Sequence, residues 1–186
     1  MEIQEIRQSV KEQLLVNRYE HTLGVEETST ILANRYGADE KKAKISALLH
    51  DIAKNQTYNE LREQLILAGE SSYLEYSDLV WHAPVGALVA RANYQIQDED
   101  ILNAIKYHST GRPAMSLLEQ IIFLADYIEP GRTQPNVNQI RELAVHSLEK
   151  AVAQTLANTV TYLSSKGEKD IHPDTLAAYE FYRHYL

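Results

Sequence analysis

The stretch ISALLHDIAK, residues 45–54, decides the fold. Its first five residues, Ile45–Leu49, form an apolar run, and two groups that suit a metal ion, His50 and Asp51, follow at once. Upstream, Asp39 is placed to cap a helix that carries Ala43, Ala47 and Leu48 toward His50, because an Asp side chain accepts from the orphan amides of a first turn. A buried helix that ends in an imidazole and a carboxylate needs a reason. An unpaired buried carboxylate costs several kcal/mol. Asp126 repeats the oddity directly after the apolar residues Ile121–Ala125.

Outward from this stretch the pattern is helical in both directions. Ile3, Ile6, Val10 and Leu14 recur at three- to four-residue spacing and predict a helix over 2–15. A second is expected from Tyr19 to Tyr36, stopped by Gly37. Thr57 with Glu60, and Ser116 with Glu119, read as capping boxes ahead of apolar faces. Pro84 suits a first helical turn, with a helix over 85–94. Asp98 opens another that ends near His108. Residues 136–166 read as helix, in two pieces meeting near His146 and ended by Gly167, and Pro173–Asp174 opens a last helix to Leu186. Tyr179, Tyr182 and Tyr185 form a packing stripe on it. Alternating strand patterns of useful length are absent, so the expected fold is all-α: a single-domain helical bundle over 1–186, with its core over about 18–130 and C-terminal helices over 137–186 packing on it.

The composition narrows the function classes. No cysteine occurs, which excludes disulfide frameworks, zinc fingers and iron–sulfur clusters. The longest apolar stretch, within Leu117–Ala125, is far short of the ~20 residues that span a bilayer, and Met1–Gln8 is too charged for a signal peptide. A cytoplasmic protein without a membrane partner is expected. The formal net charge of −8 speaks against a broad polynucleotide-binding face. It leaves room for a small basic pocket that takes one phosphorylated molecule. An acidic helical chain of this size is also compatible with a homodimer.

Seven histidines occur, and four of them, His21, His50, His82 and His108, lie beside helix ends or on apolar faces. His146 and His184 read as structural. Together with Asp51 and Asp126 the four make an ordered set, each in its own helical element. Neutral imidazoles and carboxylates suit cations such as Fe, Mn, Co or Zn, and separate helices of a bundle can supply them.

The order H…HD…H…H…D resembles the HD-domain superfamily of metal-dependent phosphohydrolases. The local words LLHDIAK (48–54), WHAPVGA (81–87), YHSTGR (107–112), ADYIEPGR (125–132) and IHPDT (171–175) resemble the YqeK family in particular. The resemblance implies a hydrolase that splits diadenosine tetraphosphate symmetrically into two ADP by attack of a metal-bound hydroxide on an inner phosphate. It implies that His21, His50, Asp51 and Asp126 ligate an iron-type ion. His82 and His108 then either ligate a second ion, with Asp51 bridging, or contact the phosphates. One or two divalent ions are thus expected: iron by resemblance, with Mn or Co equally suited chemically. Ser109 stands where the family more often has Thr; either supplies a hydroxyl.

The basic residues fit such a substrate. Arg18 lies three residues before His21, and Lys54 three after Asp51, so each can share a helical face with its ligand. Arg132 follows Pro130–Gly131, and Arg112 follows Gly111. The expected substrate-binding set is Arg18, Lys54, His82, His108, Ser109, Thr110, Arg112, Arg132 and His172, the last from the IHPDT segment. Asp51, Lys54 and Arg132 are the expected catalytic residues. The partner is a dinucleoside polyphosphate or an ADP-like nucleotide. Two rivals stand beside this reading. One is an HD phosphohydrolase for a nucleoside monophosphate, a deoxynucleoside triphosphate or a guanosine alarmone; the other is a non-catalytic nucleotide sensor.

Overall fold

The computed structural model describes residues 2–166 and 171–186. Among them are ten α-helices and no strand: α1 (Ile3–Gln13), α2 (Val16–Tyr36), α3 (Glu40–Leu49), α4 (Tyr58–Leu67), α5 (His82–Asn93), α6 (Glu99–Lys106), α7 (Leu117–Ile128), α8 (Val137–His146), α9 (Leu148–Ser165) and α10 (Pro173–Tyr182). Short 3₁₀ segments cover Ser71–Glu75, Asp78–Val80 and Arg183–Tyr185. No described helix is long and apolar enough to cross a membrane.

Several helices begin where a polar side chain holds their first amides. The Asp39 carboxylate accepts from Lys42 N at 2.9 Å, and Asp98 from Asp100 N at 3.0 Å. Thr57 with Glu60 and Ser116 with Glu119 form the two reciprocal capping boxes. Gly37, with φ +77°, ends α2 in the left-handed conformation that a Cβ would disfavour.

α3 and α7 form the centre. Ala47, Leu48 and Leu49 on α3 and Ile121, Ile122, Leu124 and Ala125 on α7 are fully buried. α2 lies against both helices, α6 packs on both as well, and α9 covers another face of α7. Each large aliphatic side chain buried here contributes about 1.5–3 kcal/mol. The inner helices thus become rigid posts for the polar groups at their ends.

Several boundaries differ from the sequence reading. α2 starts at Val16 rather than Tyr19. α5 starts at His82, so Pro84 is its third residue, still in the first turn where no amide is needed. This early start follows from Trp81, whose indole N–H donates to Tyr73 O at 2.8 Å and anchors the entry. The break between α8 and α9 falls at Ser147, whose extended backbone (φ −154°) interrupts the helix and whose hydroxyl accepts from Lys150 N. The last helix stops at Tyr182 and continues only as a 3₁₀ turn. Of the tyrosine stripe, Tyr182 is buried and Tyr179 packs against the core, whereas Tyr185 is exposed. The stop expected at Gly167 lies outside the described residues.

Candidate metal centre

Five elements deliver six side chains to one point. α2 carries His21, the end of α3 carries His50 and Asp51, and α5 opens with His82. His108 follows α6, and Asp126 stands near the end of α7. Asp51, 2% exposed, is the hub. Its Oδ1 lies 3.1 Å from His82 Nε2 and 3.7 Å from His108 Nε2. Its Oδ2 lies 3.3 Å from His50 Nε2 and 3.7 Å from His21 Nε2. Asp126 Oδ1 is 3.0 Å from His21 Nε2 and 4.0 Å from His50 Nε2.

The far side of three rings fixes what the near side can be. His50 Nδ1 donates to Ala47 O at 2.6 Å and His108 Nδ1 to Ile105 O at 2.7 Å. A carbonyl only accepts, so the hydrogen sits on Nδ1. His21 Nδ1 likewise donates to the Glu129 carboxylate at 3.1 Å. In the neutral rings Nε2 is then a bare lone pair. His21 Nε2 and His50 Nε2 are buried, have no hydrogen-bond partner, and face carboxylate oxygens. Acceptor against acceptor is repulsive, and an unpaired buried polar atom costs about 1–3 kcal/mol. A divalent cation removes the conflict, because each lone pair becomes a ligand. The donor set therefore fits a metal. Ligand atoms of His21, His50 and Asp51 lie within 4.8 Å of one another, as do those of Asp51, His82 and His108.

Charge in the site follows the same logic. Burial works against ionisation of Asp51, and a positive charge facing it, a protonated His50 or a cation in the proton's place, holds the carboxyl well below its usual range. Asp126 is held low in the same way, burial being outweighed by His21, His50 and the Arg132 guanidinium. Burial pushes His82 down to about 4, with Asp51 opposing. It is therefore a neutral imidazole near pH 7, the form that binds a metal. Lys54 is lowered, first by burial and then by Arg18, with Asp51 opposing.

The cations stand on the rim. Arg18 donates to Asp51 Oδ2 at 2.8 Å, and Arg132 donates to Asp126 Oδ1 and to its backbone carbonyl. Lys54 Nζ is 3.2 Å from His82 Nδ1. The Ser109 hydroxyl bridges His82 and His108 at 3.2 and 3.1 Å. Above them is a cleft of about 300 Å³, walled also by Leu79, Val80, Phe123 and Thr159. It adjoins a groove of about 570 Å³ beyond Asp126 and Arg132, lined by Gln134, Asn136, Asn158 and Tyr162.

Three residues expected from the sequence, Thr110, Arg112 and His172, do not line this cleft. Thr110 is buried and donates to Gly111 O. Arg112 is held by Glu119 at 2.7 Å and lies over the Tyr107 ring. His172 stands aside in a small slot with Tyr76, Leu79, Val80 and Ser109, stacked on Tyr73 at 4.7 Å. Its Nδ1 accepts from Asp174 N, so it also caps α10. The sequence reading gave no role to Glu129 or Thr159. Thr159 offers no signal, since a threonine in an amphipathic helix looks like any other. Glu129 does offer one: it is a carboxylate at a helix C-terminus, where the macrodipole disfavours it.

The HD domain profile matches residues 18–131. The chain belongs to the HD domain family. Within it the chain groups with proteins named "Bis(5'-nucleosyl)-tetraphosphatase, symmetrical". It is 49% identical to the one from Halalkalibacterium halodurans and 45% to the one from Bacillus subtilis, each over 92% of both chains. It is 37% identical to the one from Staphylococcus aureus, over 99% of this chain and 96% of the relative. A solved structure of a predicted HD superfamily hydrolase involved in NAD metabolism, from Clostridium acetobutylicum, superposes with a TM-score of 0.91 at 36% identity. The match covers 100% of this chain and 99% of that one.

Proposed function

We propose that this chain hydrolyses diadenosine tetraphosphate symmetrically, giving two ADP. The observation that carries the reading is the pair of buried, unpartnered imidazole nitrogens facing Asp51 and Asp126 beneath a rim of Arg18, Lys54 and Arg132. His21, His50, Asp51 and Asp126 would hold a divalent cation, with His82 and His108 available to a second through Asp51. Bound there, a cation polarises phosphate oxygens and lowers the pKa of water. Iron is the proposed metal, and Mn and Co suit the same ligands.

The residues themselves do the rest. Arg18 and Arg132 reach the cleft from opposite carboxylates and offer N–H donors to phosphate oxygens. Lys54, beside His82, stands where negative charge grows on the phosphoryl group under attack and on the departing ADP. Ser109 orients the His82 and His108 rings and can donate to a phosphate. Water supplies the oxygen that joins an inner phosphorus, and one ADP leaves as an anion. The groove beyond Arg132 shares Asp126 and Arg132 with the cleft, and the slot around His172 shares Leu79, Val80 and Ser109 with it, so the cleft has a neighbouring recess at each of two walls, which suits a substrate with a nucleoside at each end. We also place the whole chain in one domain, with α8 and α9 leaning on α7 and α10 on α9.

Product chromatography tests the proposal. Metal-loaded protein and diadenosine tetraphosphate should give ADP alone, and a mixture of ATP and AMP would reject symmetric cleavage. NAD, AMP and dGTP serve as comparison substrates and should turn over far more slowly.

A further inference from the structure

Glu129 is a glutamate in a poor place. It follows α7 as its C-cap, its side chain is only 6% exposed, and a carboxylate at a helix C-terminus meets the negative end of the macrodipole. Three groups compensate for that cost. Oε1 accepts from His21 Nδ1 at 3.1 Å, Oε2 accepts from Gly131 N at 2.6 Å, and Arg132 Nε lies 3.8 Å away.

The surroundings are cut to this carboxylate. A Cβ built on Gly24 would stand 2.5 Å from Glu129 Oε2, and one on Gly131 would stand 3.0 Å from Oε1. Gly24 is three residues beyond His21 in α2, on the same helical face. The lack of a side chain at Gly24 thus makes room for the group that grips His21. Of the three imidazoles pinned through Nδ1, His50 and His108 are held by neutral carbonyls, and only His21 by a charged group. A carboxylate accepts a stronger hydrogen bond and makes the opposite ring nitrogen more basic.

We propose that Glu129 is a positioning residue for the metal centre: it fixes the tautomer and aim of His21, so that Nε2 presents its lone pair to the cation, in a socket that Gly24 and Gly131 leave open. The proposal rests on the reading that this cluster holds a cation. In cation binding Glu129 acts through His21, and its carboxylate is not itself one of the proposed ligands.

The test is Mn²⁺ binding to metal-stripped protein, by calorimetry or chelator competition, with thermal unfolding of the metal-free protein alongside. Glu129→Gln should weaken the Mn²⁺ dissociation constant about 10–100-fold. In a His21→Ala background the same change should add nothing, since its route is gone. Gly24→Ala keeps the charge but displaces the carboxylate. It should also weaken Mn²⁺ binding although Ala is the better helix former, and it carries the test if Glu129→Gln does not fold. Mn²⁺ affinity within twofold of wild type, with only the metal-free unfolding midpoint lowered, would reduce Glu129 to a turn-former and overturn the proposal. So would losses that add in the double variant. If wild-type protein binds no Mn²⁺, the metal reading falls first and takes the proposal with it.

Discussion

Asp51 has two oxygens and four imidazoles to serve, so no substitute can do its work. Asp51→Asn removes the negative charge and replaces one ligand oxygen by an amide N–H₂, which can donate to the His50 lone pair but cannot bind a cation. Metal content, read by elemental analysis, should fall below half an ion per chain, and turnover about a hundredfold or more. Lys54 is a different case because it holds charge and not metal. Lys54→Met should leave metal content intact and lower kcat about 10²–10³-fold, with ADP still the product; an effect confined to KM would mean that it only binds. Arg112 belongs to a third kind. Its guanidinium serves the buried Glu119, itself half of the α7 capping box. Arg112→Ala should therefore cost about 1–3 kcal/mol by leaving that carboxylate short of partners, visible as a lower unfolding midpoint. kcat/KM for diadenosine tetraphosphate should stay within twofold of wild type.

At the scale of elements, the legible features were the local ones. Asp39, Thr57, Asp98 and Ser116 announce their helices within four residues, and each cap is present. Ser116 also donates to Asp100 at 2.6 Å, tying α7 to α6. Ser116→Ala should therefore cost about 1 kcal/mol or somewhat more, a drop of about 2–4 °C in the unfolding midpoint. The illegible features depended on remote partners. The 3₁₀ segments at 71–80 exist because the Trp81 indole reaches back to Tyr73 O, and residue spacing carries no trace of that contact. Arg112 stands in a Gly-containing loop beside His108, and its ion pair with Glu119, seven residues on, is not legible from spacing. Glu129 gains its meaning only where α2 crosses α7. The six ligand-type residues were legible as a set, because buried polar groups at the ends of apolar helices need a common explanation. Their pairwise roles were not, since those depend on which ring nitrogen is turned inward.

The whole molecule couples its stability to solution conditions in two ways. Metal removal should destabilise it, because a cation that binds only the folded cluster contributes about 2.7 kcal/mol at a hundredfold excess over its dissociation constant. A chelator scan of the unfolding midpoint measures this. The second coupling is alkaline. Burial raises the Tyr73 phenol above its ordinary range and Tyr182 up to about 12. A folded-state pKa above the unfolded one means full stability below the unfolded value, near 10, and loss above it. Denaturant midpoints should therefore hold from pH 8 to about pH 10 and fall toward pH 12, more gently in Tyr182→Phe.

Arg18 and Arg132 clasp the same carboxylate oxygens that face the imidazole nitrogens. An oxygen that must satisfy a guanidinium and a cation together gives less to each. Under the proposed function, loading the centre should therefore slacken both arginines and free their N–H donors for the phosphate oxygens of a substrate.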